Sequence, residues 1–411
     1  MRLSKAVKLI EYGELSLVCN TDNGLFASID KNTEQFVKKL QTEKNLSTTE
    51  LKDNEELITF FNEGDFFKKK KKITLEMAYI HVTNDCPLHC LGCYSEDGTR
   101  NKKINIPLEK LCKVTEELVQ LGLKSLVISG GEPLLRKDIV DYVKYCKEIL
   151  NIDYIVILTS GMYFNQKLSD ELSKFIDEIS ISIDTFDNDL SFLRDKGIFK
   201  KVEKSIEIAK KSKFKNIRVL PTLHRKNYHL AKKYIDYAFE KKVGISFSLL
   251  TVPPNDTLRD WIPQYEDLIF LGKNTKALGE EVNIASESKI DINDFHINAC
   301  EKCGIGETIL SIASDGSVYP CHMTHIPELK LGNIFFNNMK DIFEKSKQTY
   351  SKYTVDNLNE GCKACDHKYL CGGGCRARAY MQKSNFKDRD PYCPMFKTFF
   401  NDFKEVASKY H

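Results

Sequence analysis

The sequence predicts an α/β protein built around a partial (β/α)6 TIM-like barrel, with a small N-terminal α+β module and a C-terminal cysteine-rich extension. Two observations predict it. Strand and helix patterns alternate in the middle of the chain, and eleven of the 14 cysteines fall within residues 86–93, 300–321 and 362–393. A chain of 411 residues is long enough for a barrel with flanking units. We expect a module at 1–66, a lysine-rich linker at 67–75, the barrel at 76–252, a connector at 253–299 and the extension at 300–411.

The N-terminal module is expected to begin as a β-hairpin. Residues 14–19 and 24–29 have strand-like apolar patterns, and the segment between them, Asn-Thr-Asp-Asn-Gly, favours a turn. Asp30 then caps a helix that extends to about residue 40, and a second helix is expected over residues 48–61. Such a unit has too small a core to carry much chemistry alone, which suggests a recognition module.

The barrel follows from six strand patterns separated by helical ones. In order, they predict a parallel sheet with right-handed crossovers, and six strands rather than eight predict an incomplete barrel. Strands are expected at residues 77–83, 125–129, 154–159, 179–184, 217–222 and 245–250, and helices at 107–121, 138–150, 167–175, 199–211 and 230–241.

Unusual residues follow the ends of the predicted strands, where barrels gather their chemistry. They are Cys86 after the first strand, Gly130-Gly131-Glu132-Pro133 after the second, Thr159-Ser160-Gly161 at the end of the third, and Ser182 and Asp184 at the end of the fourth. All of them are therefore expected on one rim of the barrel.

Composition narrows the classes of function. The 61 basic and 58 acidic residues nearly balance, which argues against nucleic acid as a partner, and the run Lys68–Lys72 is expected to be a solvated linker. No segment resembles a signal peptide or approaches the ~20 apolar residues of a membrane helix, so we expect a cytoplasmic protein with no membrane partner. Clustered cysteines in a reducing compartment indicate metal or redox chemistry rather than disulfides.

The first cysteine cluster is Cys86, Cys90 and Cys93, with spacings of three and two residues between them. A [4Fe–4S] cluster usually has four protein thiolates, so three imply one iron open to an external ligand. The spacing alone also allows a zinc site with a fourth ligand elsewhere, such as His89.

A CxxxCxxC loop after the first strand, followed by GGEP after the second, resembles the radical S-adenosylmethionine (SAM) superfamily over residues 75–250. The resemblance implies that the methionine part of SAM chelates the open iron. One electron then cleaves SAM to methionine and a 5′-deoxyadenosyl radical. It assigns Gly130, Gly131 and Glu132 to the methionine ammonium of SAM, Ser182 to the ribose or carboxylate, and Arg194 to the carboxylate. Leu220 is expected near the adenine. At the position of Gly92 the family often has an aromatic residue that packs on the adenine, and Tyr94 is expected to take its place.

An ordinary surface position is the alternative interpretation of Arg194. The sequence departs from the family pattern at Gly92 and at Thr159-Ser160-Gly161, which stands where the family more often has Thr-Asn-Gly. Neither departure removes a metal ligand.

The C-terminal extension holds eight more clustered cysteines, enough for two four-cysteine sites, and CxxC spacing alone fits zinc ribbons equally well. The run from Gly316 to Cys321, followed by Cys-x2-Cys-x5-Cys-x3-Cys and a late cysteine, resembles the SPASM extension of radical SAM enzymes. That resemblance implies two auxiliary [4Fe–4S] clusters, three in the whole chain. One would be held by Cys300, Cys303, Cys321 and Cys375, and the other by Cys362, Cys365, Cys371 and Cys393.

The resemblance also indicates the substrate, because SPASM enzymes mostly modify peptides or proteins. Residues 1–66 resemble the winged domain that captures leader peptides, which binds an extended peptide at a sheet edge. The predicted function is the maturation of a ribosomally made precursor peptide by an oxidative thioether or carbon–carbon cross-link, with flavodoxin or ferredoxin as reductant. One alternative is a sulfatase-type maturase that forms formylglycine; that family has an aspartate at the position of His322. The other alternative is a non-enzymatic zinc or iron–sulfur protein.

Overall fold

The structure is a computed structural model that describes residues 2–42, 47–68, 73–93, 101–252, 256–274 and 297–407. The N-terminal module is a three-stranded antiparallel sheet in the order β1-β2-β3, followed by three helices. Its elements are β1 (Val7–Tyr12), β2 (Leu15–Asn20), β3 (Phe26–Ile29), α1 (Lys31–Thr42), α2 (Thr48–Asp53) and α3 (Glu55–Glu63). The predicted hairpin is present as β2 and β3, and β1, which was not predicted, pairs with β2 on its other side. The single helix expected over residues 48–61 is divided at Asn54.

The module packs on both faces of its sheet. Side chains alternate along a strand, so Val18 joins Phe61 and Phe66 in a core between the sheet and the helices. Leu17 and Cys19 point the other way, into a second core. That core is shared with C-terminal residues, among them Ala299, Val355, Leu358, Leu370 and Phe400. The module therefore has its own core and is also docked on the C-terminal extension.

The barrel sheet carries all six predicted strand positions. They are β4 (Met77–His81), β5 (Ser125–Ser129), β6 (Tyr154–Thr159), β7 (Glu178–Ile183), β8 (Asn216–Leu223) and, for the sixth, the short pair β9 (Gly244–Ile245) and β10 (Ser248–Leu249). The helices are α4 (Leu108–Gln120), α5 (Ile139–Lys144) with a π-helical continuation (Tyr145–Ile149), α6 (Gln166–Leu172), α7 (Phe199–Lys211) and α8 (Ala231–Lys241).

These strands are parallel, and the barrel is not closed, which confirms the predicted fold class. Their apolar side chains, such as Ile128, Ile157 and Ile181, are fully buried. The helices cover them, as expected for a parallel sheet whose faces are both protected.

The C-terminal part continues the same sheet. After the helical residues 265–274 (α9), it contains β11 (Ile309–Ile312), β12 (Ser317–Tyr319), β13 (Gly332–Asn333), α10 (Met339–Tyr350), α11 (Glu360–Lys363), α12 (Lys368–Cys371), α13 (Arg376–Lys383) and α14 (Cys393–Ala407).

The β11–β12 hairpin is the one that its Asp315-Gly316 turn predicts, and Gly316 has a φ of +82°. Strand β11 pairs parallel to β4, with Ile309 opposite Met77. The sheet order in the described residues is thus β10-β8-β7-β6-β5-β4-β11-β12-β13. Among the described helices, none is long and apolar enough to cross a membrane. The domain boundaries stay predictions, and the connector is described only at 256–274 and 297–299.

Candidate active site

Three cysteine side chains meet in one small cavity at the carboxyl end of the barrel strands. Cys86, Cys90 and Cys93 line it together with Gly130 and Gly131, which follow β5. His81 and Thr83 at the end of β4, and Ala313, Ser314 and His325 beyond β11, complete much of the wall. The structure thus brings the first cysteine cluster and the glycine pair to the same place on the rim.

The two glycines bring their backbone against the cysteine loop. A Cβ on Gly130, whose φ is +134°, would lie 2.3 Å from the carbonyl oxygen of Thr83, and one on Gly131 would lie 2.1 Å from that of Asp85. In the same stretch, the amide of Gly131 donates to Thr83 O and that of Glu132 to Asp85 O, both at 2.7 Å. The sequence suggested that glycine here allows close approach to a ligand. The structure gives a second reason, which is close approach to the base of the cysteine loop.

Glu132 is fully buried behind the glycines. Its carboxylate accepts hydrogen bonds from Thr159 Oγ1 (2.7 Å), from the Ser160 amide (2.9 Å) and from the Ser160 hydroxyl. It therefore joins the end of β5 to the end of β6, and Ser160 acts as a second donor in that contact. Burial, with a smaller contribution from the Glu132 charge, raises the pKa of Cys86 to about 11. Binding of a metal at that thiol must displace its proton.

Arg194 lies beside the cysteine loop. Asp184, directly after β7, accepts hydrogen bonds from the amides of Leu193 (3.1 Å) and Arg194 (3.3 Å), which fixes this loop. The Leu91 amide donates to Leu193 O at 2.7 Å, and Arg194 Nη1 lies 3.8 Å from Cys90 Sγ. This placement favours a role at the site over that of an unconnected surface arginine.

The other residues assigned to SAM stand further along the rim. Ser182 on β7 and Leu220 on β8 are directly paired across the two strands. Since β6 separates β7 from β5, these positions are spread over roughly 10–15 Å of sheet. Tyr94 lies outside the described residues. The SAM contacts of all seven residues stay predictions.

Three histidines that sequence reasoning did not group together meet beside this cavity. The rings of His81 and His325 are 4.5 Å apart, and His325 Nε2 is 2.8 Å from Ser311 Oγ. His322 stacks on Tyr79 at 4.0 Å, and burial lowers its pKa to about 4 and that of His81 well below its usual value. The sequence feature that could have indicated this grouping is the alternation of side chains in β4, which places Tyr79 and His81 on the face opposite to Ala78 and Ile80.

The C-terminal cysteines fall into two neighbourhoods. Cys303 and Cys321 pack against one buried cluster, and burial followed by the Cys375 charge raises the pKa of both thiols. Elsewhere, burial raises the pKa of Cys393, and the charges of Cys362 and Cys365 raise it further. Burial, then the Cys300 charge and then the Cys393 charge raise the pKa of Cys371.

Cys300 lies between these neighbourhoods. Its amide donates to Tyr369 O at 2.7 Å and its Sγ lies 3.7 Å from Leu370 O, just before Cys371. After burial, the Cys303 charge is the next cause of its raised pKa. Its assignment to the first auxiliary cluster stays a prediction. Thiolate donor sets of this kind fit iron–sulfur clusters.

Comparison with known families decides between iron–sulfur and zinc. The model of the radical SAM superfamily matches residues 80–238, and that of SPASM, an iron–sulfur cluster-binding domain, matches residues 303–366. Residues 80–238 form a radical SAM domain. The chain is an enzyme of the radical SAM class, with SAM and [4Fe–4S] clusters as cofactors.

Similar proteins cover most of this radical SAM chain. The PqqA peptide cyclase of Bradyrhizobium diazoefficiens is 23% identical over 348 residues, 80% of this chain and 89% of that protein. An uncharacterized protein of Archaeoglobus fulgidus is 23% identical over 348 residues, 79% of this chain and 80% of the relative.

Two solved structures share the fold. The structure of anSMEcpe with bound AdoMet has a TM-score of 0.66 at 21% identity, and covers 79% of this chain and 96% of its own. SuiB of Streptococcus suis, bound to its precursor peptide SuiA, has a TM-score of 0.60 at 16% identity, and covers 95% of this chain and 98% of its own. A match over 95% of the chain has to include most of the N-terminal module as well as the barrel and the SPASM domain.

Proposed function

We propose that this chain is a peptide maturase that cleaves SAM reductively and modifies a ribosomally made precursor peptide. The observation that carries the proposal is the combination of a three-cysteine cavity on the barrel rim with an N-terminal module docked on a SPASM domain. Support comes from SuiB, whose structure was solved with its precursor peptide and matches nearly the whole of this chain. The similarity to the PqqA peptide cyclase adds further support.

The residues of the rim have separable tasks in this proposal. Cys86, Cys90 and Cys93 would hold the SAM-binding cluster, which with SAM supplies a 5′-deoxyadenosyl radical when both are bound. Gly131 and Glu132 keep the base of the cysteine loop in place by hydrogen bonds from their amides. The guanidinium of Arg194, next to Cys90, supplies positive charge where the SAM carboxylate is expected.

The eight C-terminal cysteines would hold the two auxiliary clusters. Forming a thioether or a carbon–carbon bond from a peptide is an oxidation, so electrons leave the substrate, and fully ligated clusters are suited to accept them. A flavodoxin or ferredoxin would supply the electron that cleaves SAM. We expect neither nucleic acid nor a membrane as a partner.

The N-terminal module would bind the leader segment of the precursor. In the described residues, β3 is an edge strand of its sheet, paired with β2 alone. Both edges of the sheet also contact the C-terminal part, β1 through the Lys8–Glu301 salt bridge (3.8 Å) and the turn before β3 through the Ala299 amide, which donates to Gly24 O (2.7 Å). An extended leader would add to the outer edge of β3 as a further strand, next to the SPASM domain.

The sulfatase-type alternative has less support. His322, whose pKa is lowered to about 4 by burial of its ring, stands where that family has an aspartate. A non-enzymatic protein is contradicted by the radical SAM domain.

The test uses anaerobically reconstituted protein and a synthetic peptide copied from a short reading frame beside its gene. We expect about twelve irons, in three clusters of four. SAM and a reductant should give 5′-deoxyadenosine, and the peptide should lose two hydrogen atoms for each cross-link. The same peptide without its leader is the matched control. If it is modified at the full rate, the leader-binding role of the module is wrong, and formylglycine in a sulfatase-motif peptide would favour the alternative.

A further inference from the structure

A fully buried arginine follows directly after one of the auxiliary-cluster cysteines. Arg376, the residue after Cys375, is 0% exposed and is the largest of the fully buried side chains. Its guanidinium donates to the carbonyl oxygens of Phe386 (2.7 Å), Asp388 (2.8 Å) and Gly373. In the described residues it makes no salt bridge. Backbone carbonyls satisfy its donors, but they bring no net charge.

A second arginine nearby, largely but not fully buried, shows the usual arrangement. Arg378 makes a bidentate ion pair with Asp390, with Nε and Nη2 at 2.9 and 2.8 Å from the carboxylate oxygens. Asp390 also accepts the amide of Cys375 at 2.6 Å. Of the two guanidinium groups beside Cys375, one is therefore neutralised by a carboxylate and the other is not.

A buried cation without an anion is strongly unfavourable, and arginine stays charged in proteins. The available anions are the neighbouring thiolates. Phe386, whose carbonyl oxygen accepts from Arg376, belongs to one buried cluster against which Cys303 and Cys321 pack, and Cys375 is the residue before Arg376. The field of this guanidinium thus reaches the group of Cys303, Cys321 and Cys375.

We propose that Arg376 is the fixed counter-charge of the auxiliary cluster at Cys303, Cys321 and Cys375, and that it raises the reduction potential of that cluster. An iron–sulfur cluster with thiolate ligands is negatively charged and becomes more so on reduction. A nearby cation therefore stabilises the reduced form more than the oxidised one, and local charge is one of the factors that set cluster potentials. The cluster becomes a better electron acceptor. The inference rests on the cluster assignment in the proposed function and not on the peptide chemistry.

The experiment is a redox titration of the reconstituted full chain, followed by electron paramagnetic resonance, without peptide. Arg376→Gln removes the charge, Arg376→Lys keeps it, and Asp390→Asn leaves the Arg378 charge uncompensated. For Arg376→Gln we expect a more negative midpoint, by at least the 59 mV that corresponds to a tenfold change in the ratio of oxidised to reduced cluster. Arg376→Lys should shift the midpoint potential by less than 59 mV. Asp390→Asn should make the midpoint potential more positive. Iron content is measured for each variant.

The outcomes separate charge from structure. Equal shifts in Arg376→Gln and Arg376→Lys, or loss of the cluster from both, would mean that the guanidinium is only structural, and would overturn the inference. An unchanged midpoint in Arg376→Gln with full iron content would do the same. If Arg376→Gln alone loses the cluster, the charge is needed to hold it, and a positive shift in Asp390→Asn gives independent support. A native protein without an auxiliary iron–sulfur signal would instead refute the proposed function.

Discussion

Substituting alanine for Gly131 would place a methyl group against the backbone that begins the cysteine loop. The new Cβ would lie 2.1 Å from the carbonyl oxygen of Asp85 and 2.6 Å from its carbonyl carbon. Ordinary contact begins at 3.4 Å, so the two segments have to separate by 3.4 − 2.1 = 1.3 Å. Cys86 is the next residue after Asp85, and it has to move with them.

The energetic cost follows from the contacts. Two backbone hydrogen bonds, from Gly131 to Thr83 and from Glu132 to Asp85, are stretched or lost at about 1 kcal/mol each. Crowding adds about 1–3 kcal/mol, which gives a total of roughly 3–5 kcal/mol, concentrated at the cysteine loop. A displacement of about 1 Å in a catalytic geometry lowers the rate on the order of 100-fold.

For Gly131→Ala we therefore expect an iron content between about eight and about twelve, because the first cluster is held less firmly, and 5′-deoxyadenosine formation reduced by about 100-fold. The assays are iron content and 5′-deoxyadenosine release from SAM with reductant. The control is Gly197→Ala, where φ is +78° and no atom lies within 4 Å of the added Cβ. That variant introduces backbone strain of about 1–2 kcal/mol without crowding, and it should keep its iron and its activity. If Gly131→Ala behaves like this control, the steric argument is wrong.

Three further results are expected. Replacing all three cysteines of the first cluster by alanine should leave about eight irons and abolish 5′-deoxyadenosine formation, and retained turnover would contradict the assignment. Tyr12→Phe removes the hydrogen bond from the buried hydroxyl to Phe400 O (2.9 Å) and should lower the free energy of unfolding by about 1–3 kcal/mol in denaturant titrations. Hydrogen bonds from Lys38 and Ser16 lower the pKa of Glu34 from 4.5 to about 2, so its carboxylate stabilises the fold fully above pH 4.5 and progressively less below it. Glu34→Gln should therefore cost about 1 kcal/mol near pH 7, and the difference should shrink from pH 4.5 towards pH 2; a difference independent of pH would refute this.

The barrel was predictable because its information is local. Each β–α unit has an apolar strand followed by an amphipathic helix, and parallel pairing with right-handed crossovers then fixes the order of the strands. Strand β1 escaped prediction because Lys8 and Glu11 interrupt its apolar pattern. Its pairing with β2 was not evident from those six residues alone.

The site was predictable where it is contiguous in the sequence. Cys86, Cys90 and Cys93 lie within eight residues, so one loop brings them together whatever the rest of the fold does. The meeting of His81 with His325 depends instead on the pairing of β4 with β11, between segments far apart in the chain. The environment of Arg376 was hidden for a different reason, since its burial, and the absence of a carboxylate partner among the residues that the structure describes, appear only after α13 is packed.

The pairing of β11 with β4 also constrains how the protein is made. Ile309 lies opposite Met77, so this edge of β4 stays unpaired until the ribosome has synthesised a further 309 − 77 = 232 residues. At a synthesis rate of about 5–20 residues per second, this takes roughly 10–50 s. During that time, the edge next to the cysteine loop is unpaired and open to wrong partners, including another nascent chain. The final quarter of the polypeptide is thus needed to complete the barrel that precedes it, and premature termination before residue 309 should yield an aggregation-prone product rather than a free radical SAM domain.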